Sequence, residues 1–159
     1  MRALLTLAGV VWLALLLLCP ILPVPLAGAL YAVGSYICHQ RAERSFHLFA
    51  AQLPVCARCL GIYAGGAAGL LLTTSARIER EFFRISPRAL LVAGAIPTLL
   101  TLIVEWSGVS AGRNDVRAGA GVLLGLATAF VVAQADATLH YGGCAPRRPI
   151  ASNRPPTPI

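Results

Sequence analysis

The chain has 159 residues, of which 57% are hydrophobic and only 12% charged, too little polar surface to enclose a soluble globule. Its formal net charge of +7 comes from arginines alone, since it has no lysine. The arginines are scattered over loops with no aromatic-interleaved basic patch, which excludes nucleic acid as a partner and points to membrane topology and anionic lipid.

One domain in a bilayer is what this length and composition allow, so the informative features are stretches near the roughly 20 apolar residues that cross the hydrocarbon core. Residues 3–19 are the first, a leucine-rich block behind Arg2 that Pro20, Pro23 and Pro25 bring to a stop. Arg2, the apolar run and Ala27-Gly28-Ala29 imitate a secretory signal. The run is nevertheless longer than a signal core of roughly 7–15 residues, and Leu18 is too large for the processing pattern, so it reads as an uncleaved anchor.

Residues 26–37 follow, apolar but about half the spanning length, and read as an interfacial or re-entrant helix that delivers Cys38 to the membrane surface. The second span covers residues 60–75, reaching back toward Leu53 if the neighbouring cysteines sit at the headgroups. The third, 89–106, contains Pro97 and Glu105, and the fourth is 118–135, with Asp136 marking its end. The fold expected is an all-α membrane protein with four transmembrane helices plus the short helix. It forms a single domain over residues 1–141, with a Pro- and Arg-rich tail, 142–159, that reads as disordered.

With the amino terminus in the cytoplasm, the inner side holds Arg2, Arg77, Arg80, Arg84, Arg88, Arg147, Arg148 and Arg154, and the outer side Arg41, Arg44, Arg58, Arg113 and Arg117. That bias places both termini and the tail in the cytoplasm of a multi-pass protein of the cell membrane. The absence of lysine beside abundant Ala, Gly and Arg suggests a GC-rich bacterial source. Gly61, Gly65 and Gly69 recur on one helix face, as do Gly121, Gly125, Ala129 and Ala133 on another. Two such small-residue seams predict close packing of the second and fourth spans, with homo-oligomer formation the competing use.

The chemistry concentrates between Cys38 and Tyr63. Cys38, His39, Cys56 and Cys59 supply three thiols and an imidazole, the ligand types of tetrahedral zinc, and the two-residue spacing of Cys56 and Cys59 lets both sulfurs face one ion. Gly61 reads as the hinge of a tight turn before the next helix, and His47 as a reserve ligand. Arg44 and Arg58 favour thiolates, which serves metal binding and thiol exchange equally. Cys19 and Cys144 read as small apolar residues with no part in the site.

These residues carry a resemblance. Cys38-His39-Gln40, Arg44-Ser45-Phe46, and the run from Gln52 through Cys59 followed by Gly61-Ile62-Tyr63 resemble the hallmark of a family of small integral-membrane proteins, domain of unknown function 2085. Pro97, an acidic residue in the third span, Asn114, Arg117, Gly119 and Gly125 also fit that pattern, so the resemblance covers roughly residues 35–125. Leu60 stands where a threonine is usual and Glu105 where aspartate is usual. The resemblance implies a membrane protein and these site residues; it brings no reaction and no substrate.

Glu105 is costly within a membrane segment and so a candidate for function, although beside Trp106 a plain salt bridge to Arg113 or Arg117 would also serve. With Asn114 and Arg117 it can complete, beside Arg44 and Arg58, a polar shell that orients the ligands or holds an anionic group. The leading expectation is a structural zinc site of Cys38, His39, Cys56 and Cys59. The alternatives are a quinone-linked thiol–disulfide oxidoreductase using Cys56 and Cys59, and a small transporter or channel subunit resting on Glu105 and the glycine seams. No serine–histidine–acid set, phosphate-cradling glycine loop or paired catalytic carboxylates are present to name a reaction.

Overall fold

The computed structural model describes residues 2–109 and 112–141, with side chains as far as residue 138. The chain runs α1 (Arg2–Leu18), α2 (Val24–Ile37), β1 (Ser45–Leu48), β2 (Ala51–Cys56), α3 (Ala57–Leu72), α4 (Ala76–Phe82), α5 (Pro87–Trp106) and α6 (Asn114–Tyr141). Three helical stretches, Arg2–Ile21, Pro87–Trp106 and Asn114–Thr138, are long and apolar enough to cross a membrane. The pair α3 and α4 makes a fourth if taken as one span, although it bends by 113° between them. The protein is therefore mostly helical but not purely so. The antiparallel hairpin β1–β2 is a correction to the all-α expectation.

The hairpin escaped periodicity because β2, Ala-Gln-Leu-Pro-Val-Cys, is buried at three consecutive positions and reads as the start of a membrane helix. Pro54 within it tells against a helix, and an edge strand tolerates its missing N–H. At the tip, Phe49 and Ala50 both adopt positive φ, 51° and 61°, a hairpin turn made without glycine.

Helix packing follows the small-residue seams. A Cβ added to Gly61 or Gly65 on α3 would collide with the carbonyls of Ala118 or Val122 on α6. One added to Gly121 or Gly125 would meet those of Arg58 or Ile62. The expected pairing of these two helices is thus realised inside one chain, where close backbone approach replaces the hydrophobic drive that a bilayer does not provide. Gly94 lets α5 approach Ala127 of α6 in the same way, and Thr98 donates to the Ala120 carbonyl at 3.1 Å. Gly61 lies inside α3, so it packs a helix and does not hinge a turn.

α1 runs antiparallel to α3, Gly9 beside Ala67 and Trp12 edge-on to Tyr63 with ring centroids 6.0 Å apart. Its start is tied to the far end of the bundle by Arg2, which pairs with Asp136 at 3.0 Å and with Glu79. Asp136 therefore does not mark a helix end; α6 continues to Tyr141. α4 turns off α3 and stacks Phe82 on Phe130, with Gln134 of α6 donating to the Phe82 and Ile85 carbonyls.

α2 is about 21 Å long at 1.5 Å per residue, yet the turn before it packs on β2, and Cys38, which follows it, meets Cys56 at the end of β2. At 14 residues it is apolar but shorter than the three stretches long enough to cross a membrane.

Candidate metal centre

The hairpin, the end of α2 and the start of α3 meet over Leu16, Pro54 and Val55, all fully buried. Burial of this order contributes about 1.5–3 kcal/mol per large apolar side chain, which anchors the two cysteine-bearing segments on the same core. Backbone clamps then set the loop between them. Gln40, itself at φ 48°, donates through Nε2 to the carbonyls of Tyr31 and Pro54, both at 2.8 Å. Gln52 returns a bond to the Gln40 carbonyl at 2.6 Å, and the Tyr31 hydroxyl donates to the Gln52 carbonyl. Gly34 is required beneath this web, since a Cβ there would come within 2.5 Å of the Pro54 carbonyl oxygen.

The result brings the sulfurs of Cys38, Cys56 and Cys59 within 4.8 Å of one another. Cys56 is the N-cap of α3 and Cys59 lies three residues on, the two positions whose side chains face each other across a helix start. Cys38 follows α2 in an extended conformation, φ −145° and ψ 136°, and its sulfur accepts the Cys56 amide at 3.1 Å. Helix starts and amide donors both favour thiolate over thiol. The Cys59 thiol, donating to the Cys56 sulfur, holds Cys56 below the ordinary thiol range against the upward pull of burial, and backbone amides at the helix start assist.

His39 is not part of this group. Extended backbone sends neighbouring side chains to opposite sides, so with Cys38 turned inward His39 is exposed. His47, on β1 opposite Gln52, is exposed as well. Cys19 is buried and free, outside the group; Cys144 lies outside the described residues.

The polar residues expected around the site form a separate network beside it. Glu105, its side chain only 3% exposed, receives Arg117 Nε at 2.9 Å and Arg58 Nη2 at 3.0 Å on Oε1, while Arg44 stands 3.7 Å from Oε2. Arg58 also donates to Thr101 at 3.1 Å. Asn114 accepts from Arg117 at 2.8 Å and donates to the Ser45 carbonyl at 3.1 Å, tying α6 to the hairpin. Arg113, one of the two salt-bridge partners expected for Glu105, pairs with Asp115 instead. All five expected residues, Arg44, Arg58, Glu105, Asn114 and Arg117, thus meet at the hairpin end. Arg58 lies between Cys56 and Cys59 in the chain and so joins the thiol group to this network. Sequence reasoning missed Tyr31 and Gly34 and gave Gln40 and Gln52 no role, because a side chain that holds backbone carbonyls has no spacing signature.

Residues 38–131, more than half the chain, match the family described as predicted membrane protein, domain of unknown function 2085. The chain belongs to this family. It is 33% identical over 103 residues to an uncharacterised protein of Methanocaldococcus jannaschii, a match covering 65% of each chain, just under two thirds of that relative. It is 31% identical over 96 residues to an uncharacterised protein of Methanothermobacter thermautotrophicus, covering 60% of this chain and 84% of the relative. No solved structure matches. These two relatives are archaeal, so residue usage alone does not support a bacterial source. The family match begins at Cys38 and takes in the three clustered cysteines, the hairpin and most of the α3–α6 seam.

Proposed function

We propose that the protein is a four-span membrane protein that holds a soft divalent metal ion, zinc foremost, on Cys38, Cys56 and Cys59, leaving the fourth coordination position to a ligand from outside this set. The observation that carries the reading is the convergence of three sulfurs within 4.8 Å of one another. Bonds of about 2.3 Å to a tetrahedral zinc put sulfurs roughly 3.8 Å apart, a small adjustment from that arrangement. Two thiols suffice for disulfide exchange; the third, with the Cys56 amide aimed at its sulfur, suits a metal. Three protein ligands with one open position is the pattern of sites where zinc activates water or receives a ligand, whereas a closed structural site would need a fourth. In this reading the expected role of His39 falls away.

Four spans, α1, α3, α5 and α6, put the start of α1 and the end of α6 at one end of the bundle, with Arg77, Arg80, Arg84 and Arg88 on the same side. The arginine excess there supports a cytoplasmic location for both termini. The glycine seams are filled within the chain, so they offer no surface to a second copy.

The test is metal content and free-thiol count of protein purified under reducing conditions. About one divalent ion per chain is expected, lost together with thermal stability in Cys38→Ser, Cys56→Ser and Cys59→Ser, and retained in His39→Ala and Cys19→Ser. Metal-free protein that forms a Cys56–Cys59 disulfide, with one cysteine variant trapping a mixed disulfide, would replace this reading by the thiol–disulfide oxidoreductase. That second reading draws on the placement of Cys56 and Cys59 at a helix start, where a thiolate nucleophile is favoured.

A further inference from the structure

We propose that the arginine cluster around Glu105 is a binding site for a phosphate-type oxyanion at the hairpin face of the membrane. Arg44, Arg58 and Arg117 converge on a single carboxylate, leaving two positive charges in excess at a largely buried position. No other acidic side chain relieves that excess. Of the six in the chain, Glu43 pairs with Arg41, Glu79 and Asp136 with Arg2, Glu81 with Arg84, and Asp115 with Arg113. A divalent ion on three thiolates carries one net negative charge and a disulfide none, so a surplus remains whichever use the cysteines have.

Hydrogen bonding at the cluster is incomplete in the same sense. Both strong bonds fall on Glu105 Oε1, while buried Oε2 accepts none and buried Arg58 Nε donates none. A guanidinium with a spare N–H is the group that recognises phosphate through planar, paired donors.

Room for a ligand is present. A cavity of about 280 Å³ between α5 and α6 is lined by Thr101, Glu105, Arg113 and Arg117 and walled on its apolar side by Val104 and Val116. Both valines are exposed, so in a bilayer this wall opens to acyl chains while the charged floor lies at headgroup level. A phosphate can reach the site in two ways, as the headgroup of an anionic lipid or as a free ion from the aqueous side. Arg44, 3.7 Å from Glu105 Oε2 and 37% exposed, is the most accessible of the three guanidiniums that face this carboxylate.

The experiment uses the full chain in phosphatidylcholine nanodiscs, titrated with inorganic phosphate, and in parallel in nanodiscs doped with phosphatidic acid. Thermal unfolding is followed in both, and retained lipid by native mass spectrometry. At least one probe is expected to raise the unfolding temperature saturably, as ligand binding to the folded state must. Its apparent affinity should fall about tenfold in Arg44→Gln and stay unchanged in Arg84→Gln, an exposed arginine at the opposite end of the bundle. A response to inorganic phosphate assigns a free oxyanion; a response to phosphatidic acid alone assigns the lipid headgroup. The proposal is overturned if neither probe stabilises the protein, or if Arg44→Gln responds as the unaltered chain does. Should Arg44→Gln fail to fold, Arg44→Lys keeps the charge and loses the planar fork, and an unweakened response in that variant overturns the proposal equally.

Discussion

The two ends of the helix bundle are each tied by arginine on carboxylate, in opposite ratios. At one end Arg2 serves two carboxylates, Glu79 and Asp136, and also donates to the Ala133 carbonyl at 3.0 Å. At the other, Glu105 alone serves Arg44, Arg58 and Arg117. Arg2 and Glu79 are 25% and 28% exposed, so water shares in that tie; Glu105 has almost none. The Arg2 end is a structural pin that holds α1 against α4 and α6. The hairpin end carries more cation than it neutralises and stands beside three thiols.

The comparison is most sharply tested by removing the shared carboxylate. Glu105→Gln leaves three guanidiniums facing one another and should cost about 3–5 kcal/mol, the range for breaking a buried ion pair. Asp136→Asn should cost less, since Arg2 keeps Glu79. Equal losses for the two variants in chemical unfolding in detergent would mean that the two ends are equivalent pins.

Seam variants probe the body between the ends. Gly65→Leu and Gly125→Leu each place a side chain into a facing carbonyl and should cost about 1–3 kcal/mol, read from the same unfolding curves. Unchanged stability for both would show that α3 and α6 separate in the bilayer.

Smaller effects are expected within the hairpin end. Ala50→Gly relieves a positive φ and should stabilise by about 1 kcal/mol, visible as slower hydrogen exchange across β1 and β2. His39→Ala, at an exposed position outside the thiol group, should shift stability by no more than about 0.5 kcal/mol and leave metal content unaltered. A loss of metal in that variant would restore His39 as the fourth ligand.

Much of this was legible in the chain itself. Three helices long and apolar enough to cross a membrane were found from apolar length, and the α3–α6 contact from two rows of small residues, because in lipid these patterns are themselves the physical cause of insertion and packing. The clustering of Cys56 and Cys59 with Cys38 was anticipated from residue chemistry, since thiols two residues apart beside arginine are costly ornaments in an oily protein. The hairpin was not legible: a buried strand and the start of a membrane helix share the same apolar run. The expected span ends at residue 75, where the bend falls, but α4 beyond it, Ala76–Phe82, was not read because four charges in seven residues leave no apolar run.

By itself, then, the sequence determined the membrane class, the long apolar helices and the cysteines from which a cluster could form, all of which depend on composition and on spacing within single helices. Only the tertiary structure decided which groups meet. Cys38 joins Cys56 and Cys59 while its neighbour His39 turns away, and Arg58 leaves the cysteines for Glu105, 47 residues along the chain. Those outcomes turn on the extended backbone at Cys38, on Gln40 and Gln52 clamping the hairpin, and on glycine contacts that bring α6 against α3. Each is a three-dimensional constraint between segments far apart in the chain, and no local pattern encodes it.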